Sequence, residues 1–278
     1  MSEATVPTDS FNILVVVDPS QEKAPALERA LYTGRSVREH FPQEQGELKI
    51  LLAVDPENND TSADNPAMLR NHAWLQKTVL EPVQSAGEKY SIGISWSTDW
   101  YGSILRAADM LPARLIILPL ENKPRATGRL LNESIWRVIR TAKVPVLVVQ
   151  PSPVQERKVI LAAVALQSHK ESHEALNDAV IARGKWLAEV YGAELHIVNA
   201  YDDSLNYPDR TELLQRSGVD SSRVHIQHGT PHEVLARVSK EIGADVLVLG
   251  TRNRATRWRG TTAERIITEV DCDVLMIR

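Results

Sequence analysis

An internal repeat of apolar strands is the feature that most constrains how this chain folds. Residues 11–18 (FNILVVVD) and 159–165 (VILAAVA) are continuous apolar runs, which are typical of strands buried on both faces. Ile13 aligns with Ile160, and Leu48 aligns with Leu195 at the same offset. Later segments align at shorter offsets, Ala113 with Ala244 and then Val146 with Val274. The second copy is therefore shorter than the first, mainly between its second and third strands and slightly after its fourth.

Helical periodicity between the strands makes each copy a βα repeat. Leu27, Ala30 and Leu31 recur at helical spacing and predict a helix over residues 25–41. Further helices are expected at residues 67–89, 102–110, 135–141, 176–192, 208–216 and 231–242. Thr230 and Glu233 form a predicted capping box at the start of the last of these helices.

Alternating buried strands and helices imply parallel sheets with right-handed crossovers. Besides the two runs above, strands are expected at residues 48–54, 92–96, 115–118, 146–149, 195–200, 224–226, 246–249 and 274–278. The sequence therefore predicts an α/β fold of two tandem doubly wound domains, residues 1–150 and 157–278. The proline-rich segment 151–156 is the expected linker.

Composition and motifs exclude several classes of protein. Hydrophobic residues make up 43% of the chain, charged residues 24%, and the net charge of -4 argues against a nucleic-acid partner. No apolar run reaches the ~18–20 residues that span a bilayer, and the polar N-terminus is unlike a signal peptide. Cys272 is the single cysteine and is expected to be a small buried hydrophobe, so we expect a cytoplasmic protein. The sequence contains no P-loop, G-x-S-x-G or H-E-x-x-H motif, which predicts a protein that is not an enzyme.

A basic loop with glycines at both ends follows the fourth strand of the second copy. The apolar run 246–249 ends at Gly250, and Gly260-Thr261-Thr262 leads into the next helical segment. Four arginines lie between these glycines, Arg252, Arg254, Arg257 and Arg259. A strand, a loop with glycines and a helix N-terminus commonly hold a nucleotide phosphate, because backbone N–H groups and the helix dipole favour an anion.

Three separated blocks of the sequence resemble tandem universal stress proteins of the UspE type. They are ILVVVDPSQ with PALERALY, EALNDAV with AELHIVNAY, and HGTPHEVL with ADVLVLGTRNR, GTTAERII and CDVLMI. The resemblance implies a five-stranded parallel sheet in each domain and a pseudo-twofold contact between the domains. The fifth strands would form that contact, from Val146 to Gln150 and from Val274 to Arg278. It also implies a cytoplasmic stress-response protein without established catalysis, and it leaves a homodimer and the protein partner open.

Members of this family that bind ATP resemble the pattern G-x2-G-x9-G-[S/T], together with an aspartate that closes the first strand. The second copy keeps Gly250 and Gly260-Thr261, but Asn253 replaces the middle glycine and Ala165 stands at the aspartate position. Six residues rather than nine separate Asn253 from Gly260. The first copy keeps Asp18, whereas Pro119 and Asn132 replace its first and last glycines. Neither copy carries the complete pattern.

Two interpretations of these residues stay open. The candidate nucleotide or anion ligands are Asp18, Ala165, Asn199, Gly250, Thr251, Arg252, Asn253, Gly260, Thr261 and Thr262. In the first interpretation the arginines replace lost N–H contacts and Trp258 stacks on a base. In the second the loop is a solvated turn, Thr261 and Glu264 cap a helix, and Asp18 is a turn residue. Taken together, the two interpretations leave four possibilities for the ligand: ATP, AMP, a free phosphate or none.

Three functions correspond to these possibilities: a stress-response binding module, an interaction scaffold without a nucleotide, and a slow ATP-hydrolysing or adenylate-handling enzyme. The enzyme would need the full glycine loop. The histidines are expected at the surface without a metal, because their spacing offers no convergent set of ligands. They are His169 and His173, and the group His225, His228 and His232.

Overall fold

A computed structural model gives the architecture of the chain. It describes residues 10–19, 21–44, 46–53, 72–95, 97, 99–120, 133–152, 156–167, 171–251 and 262–278. We call residues 10–152 the first half and residues 156–278 the second half.

Ten strands form one continuous sheet. In chain order they are β1 Ile13–Val17, β2 Leu48–Ala53, β3 Tyr90–Ser95, β4 Leu115–Pro119, β5 Val146–Val149, β6 Val159–Val164, β7 Glu194–Tyr201, β8 Val224–His228, β9 Val246–Gly250 and β10 Asp273–Ile277. Their order across the sheet is β3-β2-β1-β4-β5-β10-β9-β6-β7-β8. Each half contributes five parallel strands in equivalent order, as the repeat in the sequence predicts.

Strand register confirms the internal repeat residue by residue. Ile13 pairs with Leu48 in the first half, and Ile160 pairs with Leu195 in the second. These are the residues that the repeat aligns at a single offset. The later alignment recurs as well, because the pair Ile116–Val146 corresponds to the pair Leu247–Val274. The shorter second copy therefore keeps the same sheet and loses residues from its connections.

The two halves join where β5 and β10 pair in antiparallel orientation. Leu147 lies directly opposite Leu275, its own counterpart in the repeat, and Val146 and Val148 pair with Met276 and Val274. Because repeat-related residues face each other at the centre, a pseudo-twofold axis runs between Leu147 and Leu275. The junction therefore consists of the two strands at which the family resemblance placed the contact.

Helices cover both faces of the sheet. They are α1 Pro25–His40, α2 His72–Leu75, α3 Glu81–Ser85, α4 Trp100–Met110, α5 Glu133–Thr141, α6 Glu171–Tyr191, α7 Arg210–Ser217, α8 Pro231–Glu241 and α9 Thr262–Glu269. Alternate residues of β1 point to opposite cores, Val15 to a core with α1 and α6 and Val16 to a core with α4 and α5. The doubly wound arrangement is thereby confirmed.

Two local predictions are wrong in detail. The helix expected over residues 67–89 is, within the described residues, a π-helical segment Gln76–Leu80 between α2 and α3, and it ends at Ser85. Pro82 lies in the first turn of α3 and cannot donate a backbone hydrogen bond, which accounts for the altered hydrogen bonding just before it. At the start of α8, the Thr230 hydroxyl donates to the Glu233 carboxylate at 2.6 Å, and neither side chain forms the predicted capping-box bond.

Candidate functional site

A cavity of about 350 Å³ lies at the carboxyl ends of β6 and β9, enclosed by α6, α8 and α9. We call it the second-half cavity. Its walls are mostly apolar side chains, Val164, Leu176, Val180, Leu235, Leu249 and Ile266. The carboxyl edge of a parallel sheet is where proteins of this architecture bind ligands. The lining contains Ala165 and Gly250, so two of the candidate residues named from the sequence meet here.

Gly250 has a packing role in this cavity. A Cβ atom at this position would lie 2.7 Å from the Leu176 Cγ, too close for any larger residue unless the Leu176 side chain moves. The glycine therefore lets the Leu176 side chain of α6 cover the end of β9. The sequence predicts Leu176 as an apolar residue of a helix and not as a candidate ligand, because its spacing is that of a core residue.

Two buried asparagines fix the loop between β6 and α6. Asn177 accepts a hydrogen bond from the Ala165 amide at 3.0 Å and donates to the Ala165 carbonyl at 3.1 Å. Asn199 accepts from the Leu166 amide at 2.9 Å and donates to the Ala200 carbonyl at 3.1 Å. The candidate residue Asn199 is thus fully buried and holds the loop. Asn177, which lines the cavity, was missed because it lies within a helical pattern.

The remaining second-half candidates have different positions. The Thr251 amide and hydroxyl both donate to the Ile277 carbonyl, at 2.8 and 3.4 Å, so they extend the pairing of β9 with β10. Thr262 is the first residue of α9, and the next residue, Ala263, lines the second-half cavity. Four candidates lie outside the described residues: Arg252, Asn253, Gly260 and Thr261.

A cavity of about 320 Å³ occupies the equivalent edge of the first half. Asp18 lines it, is buried, and its carbonyl accepts from the Gln21 amide at 3.1 Å, which is the expected turn. Trp100 lines the same cavity, and its indole N–H has no hydrogen-bond partner among the described residues. Pro119, in place of the first glycine, ends β4 here without an N–H group. This cavity therefore keeps the aspartate of the family pattern, Asp18, but has no backbone N–H donor at Pro119.

The position of His225 differs from the expectation that the histidines lie at the surface. His225 is half-buried on β8, and its Nε2 lies 3.0 Å from Nδ1 of His196 on β7. Burial lowers the pKa of His196, with Arg223 acting in the same direction and Glu194 opposing it. Burial and then the neighbouring His196 lower the pKa of His225. His169 lies outside the described residues, within which no three His, Cys, Asp or Glu side chains converge as metal ligands would.

The single cysteine is buried as expected. Cys272 precedes β10, and burial, followed by the charge of Asp273, raises the pKa of its thiol to about 12. A thiol with this pKa stays protonated at neutral pH and is a poor nucleophile.

Comparison with known proteins places this fold in a class. The universal stress protein family (Usp) matches residues 10–150 and 208–278. Universal stress protein E of Escherichia coli K12 is 26% identical, with 96% of this chain and 93% of that protein covered. The Haemophilus influenzae homologue is also 26% identical, with 96% of this chain and 97% of that protein covered.

A crystal structure of a Pseudomonas aeruginosa UCBPP-PA14 protein described as a universal stress protein shares the fold, with a TM-score of 0.76. It is 22% identical and covers 96% of this chain and 93% of its own. The chain therefore belongs to the universal stress protein family, a class of stress-response proteins, in its tandem form. No helix in the described part of the chain combines the length and apolar character needed to cross a bilayer.

Proposed function

We propose that this protein is a cytoplasmic stress-response binding module that holds an adenine nucleotide in the second-half cavity and does not turn it over. The observation that carries this proposal is the apolar cavity itself, at the carboxyl ends of β6 and β9. Apolar walls from α6 and α8 suit the two faces of a purine base. The start of α9, whose residue Ala263 lines the cavity, offers the backbone N–H groups of a helix N-terminus to a phosphate.

The ligand favoured by these features is AMP, followed by ATP. The loop after Gly250 is shorter than the family pattern, so it has less chain with which to enclose a triphosphate. Apart from His173, those lining residues that the structure describes carry no ionisable side chain. That lining supports binding and offers no acid or base pair for hydrolysis.

A second candidate function is an interaction scaffold that has lost the nucleotide. The contacts of Asn177 with both backbone groups of Ala165 favour it, because they occupy the position where family members carry an aspartate. Leu176 packed over Gly250 favours it as well, because the glycine then has a structural reason to be present.

Calorimetric titration of the full chain with AMP, ADP and ATP tests the proposal. We expect saturable binding, tightest for AMP. Ala263→Leu places a larger side chain in the second-half cavity and should weaken binding at least about tenfold, the effect of roughly 1.4 kcal/mol. Ala182→Leu, on the exposed face of α6, is the matched control and should bind as the parent protein does.

Each negative outcome has a separate meaning in this titration. Absence of heat and of a thermal shift with all three nucleotides would leave the scaffold as the function. Binding that is unchanged in Ala263→Leu would contradict the second-half cavity as the location. Release of product above a protein-free control during prolonged incubation with ATP and magnesium would contradict a protein without turnover.

A further inference from the structure

The ten-stranded sheet ends at two edge strands, β3 in the first half and β8 in the second. Among the described residues, β3 pairs only with β2, and no further strand lies beyond it. An edge strand presents a row of unpaired backbone groups with which another chain can pair. Proteins therefore protect such edges with charged side chains, proline or a covering segment. The two edges of this sheet differ in that protection.

A side chain of the second half protects the edge at β8. The Arg210 guanidinium donates to the Val224 carbonyl at 3.3 Å, where β8 begins. The same guanidinium donates to the Ser221 carbonyl at 2.6 Å, just before the strand. An arginine side chain thus already occupies backbone acceptors at this edge, which is partly closed to a further strand.

The edge at β3 has no comparable protection within the described part of the chain. The strand reads YSIGIS, without a charged residue or a proline. Ile94 is 60% exposed, although most large apolar side chains that the structure describes are buried. An uncharged edge strand with an exposed β-branched side chain is suited to pairing with another strand.

The hydrogen bonds to β2 determine which residues of β3 direct their backbone outward. The Leu48 amide donates to the Lys89 carbonyl at 2.9 Å, so the backbone groups of Lys89 point toward β2. In a strand, the N–H and C=O of one residue point to the same side, and that side alternates along the chain. Counting on from Lys89, the residues that direct both backbone groups away from the sheet are Tyr90, Ile92 and Ile94.

We propose that the β3 edge is the interface at which a second copy of this chain binds, strand to strand and antiparallel. The two copies of Ile92 lie opposite each other on a twofold axis, and Tyr90 of each copy lies opposite Ile94 of the other. In this register every outward residue belongs to a hydrogen-bonded pair. The exposed Ile94 side chain is then covered by an aromatic ring, which is a favourable cross-strand pair.

Charge and symmetry favour a second copy over other occupants of this edge. Because β3 carries no charge, self-pairing brings no like charges together along the strand. Head-to-tail pairing would instead join β3 to the edge at β8, whose backbone acceptors Arg210 already occupies. Self-pairing closes both β3 edges and stops at a dimer. The β5–β10 pair joins equivalent strands of the two halves in the same antiparallel manner.

Analytical ultracentrifugation of the full chain tests this interface. We expect the mass to rise with concentration from 31.0 kDa toward twice that value and no further. Ile94→Lys adds a charge at the edge, and Ile94→Pro removes an outward N–H group without changing the pairing with β2. Each variant should weaken dimerisation at least about tenfold.

Leu205→Lys is the matched control for these variants. It makes the same change at a different exposed apolar side chain, which is 91% exposed, and should dimerise as the parent protein does. Far-ultraviolet circular dichroism and the unfolding midpoint of all three variants should equal those of the parent, because Ile94 and Leu205 are exposed.

Amide hydrogen exchange locates the contact within the strand. The amides of Tyr90, Ile92 and Ile94 should exchange more slowly in the concentrated parent protein than in Ile94→Lys or after dilution. The amides of Ser91 and Gly93 bond to β2 and should be protected in every sample.

Four outcomes would overturn the proposal. A parent protein that stays monomeric at its highest soluble concentration would leave the β3 edge to a strand of another protein. A mass that grows beyond the dimer would indicate head-to-tail pairing. A dimer that both Ile94 variants retain, or one that leaves the outward amides unprotected, would place the interface elsewhere.

Discussion

Buried polar side chains control the geometry at the ends of the strands. Asn199 is fully buried on β7 and holds the Leu166 amide, while Asn177 on α6 holds both backbone groups of Ala165. Without these partners the loop after β6 would bury unpaired amide and carbonyl groups, at a cost of about 1–3 kcal/mol each. Asn199 is visible in the sequence as a polar residue within an apolar run. Its partner amide becomes visible only after folding.

The hydrogen-bonded pair His196–His225 makes stability depend on pH. Both pKa values are lowered in the folded protein, so the neutral imidazoles are favoured there. Between the lowered values and the ordinary value of 6.5, the unfolded chain binds more protons than the folded one. The contribution of the pair is therefore complete above pH 6.5 and decreases as the pH falls below it. Urea unfolding at pH 5.5 and 7.5 should show lower stability at the acidic pH.

His225→Gln should reduce this pH dependence, because it removes one of the two imidazoles whose pKa is lowered in the folded protein. Glu194, Arg223, Arg210 and Glu241 contribute to the field at the pair and stay unchanged in this variant. His232→Gln removes a histidine outside the pair and is the matched control. An equal loss of pH dependence in both variants would show that the His196–His225 pair is not the source of the pH dependence of stability.

Helices α1 and α6 join the halves on one face of the sheet. The Thr33 and Tyr191 hydroxyls are hydrogen-bonded at 2.9 Å in a buried position. Tyr32 stacks on Tyr191 with ring centroids 5.5 Å apart, and Phe11 contacts Trp186 at 5.2 Å. The Arg157 guanidinium also lies over the Tyr191 ring, 5.0 Å from its centroid. The α1–α6 contact thus combines aromatic packing with one buried hydrogen bond.

Thr33→Val should destabilise the protein by about 1–3 kcal/mol, because it leaves the Tyr191 hydroxyl buried without its partner. Tyr191→Phe should be destabilising for the same reason while keeping the ring. The double variant should lose less than the sum of the two single losses, since neither polar atom then remains unpaired. Denaturant unfolding of the four proteins measures this coupling, and strictly additive losses would contradict it.

Across the whole molecule, the junction is nearly symmetric in strands and asymmetric in charge. Leu147 and Leu275 face each other across the pseudo-twofold axis. Asp273 begins β10, but its counterpart in the repeat is Pro145, which cannot form an ion pair. The buried cluster in which Arg29 and Arg157 donate to Asp273 therefore belongs to one end of the β5–β10 pair. It fixes the position of the second half relative to α1 by directional hydrogen bonds.

Asp273→Asn should destabilise the whole protein by about 3–5 kcal/mol, because two buried guanidinium groups lose their carboxylate. Urea unfolding followed by far-ultraviolet circular dichroism and by tryptophan fluorescence measures the loss. Asp220→Asn changes an exposed carboxylate and should stay within about 0.5 kcal/mol of the parent protein. Equal stability of the two variants would show that the ion pairs of Asp273 contribute no stabilisation at the junction.

Sequence patterns were sufficient for the repeat and the fold class, whereas the pairing of β5 with β10 was expected only from the family resemblance. Apolar runs such as residues 11–18 have one stable location, inside a parallel sheet covered on both faces, and the offsets identify equivalent residues of the two halves. The same patterns brought Gly250 and Ala165 to one cavity, because equivalent strand ends meet at one edge. The patterns did not predict the π-helical segment within residues 67–89. Pro82 alters the backbone hydrogen bonds there, and apolar periodicity carries no information on such bonds.

Tertiary structure alone decided which polar residues meet. Arg29 and Asp273 are separated by 244 residues, and Arg157 and Asp273 by 116, so no local pattern connects them. Leu176 likewise gains its position over Gly250 only when α6 packs on the sheet. Periodicity determines which face of an element is apolar, because burial depends on each residue's own side chain. A charged cluster depends on side chains that only the folded chain brings within hydrogen-bonding distance.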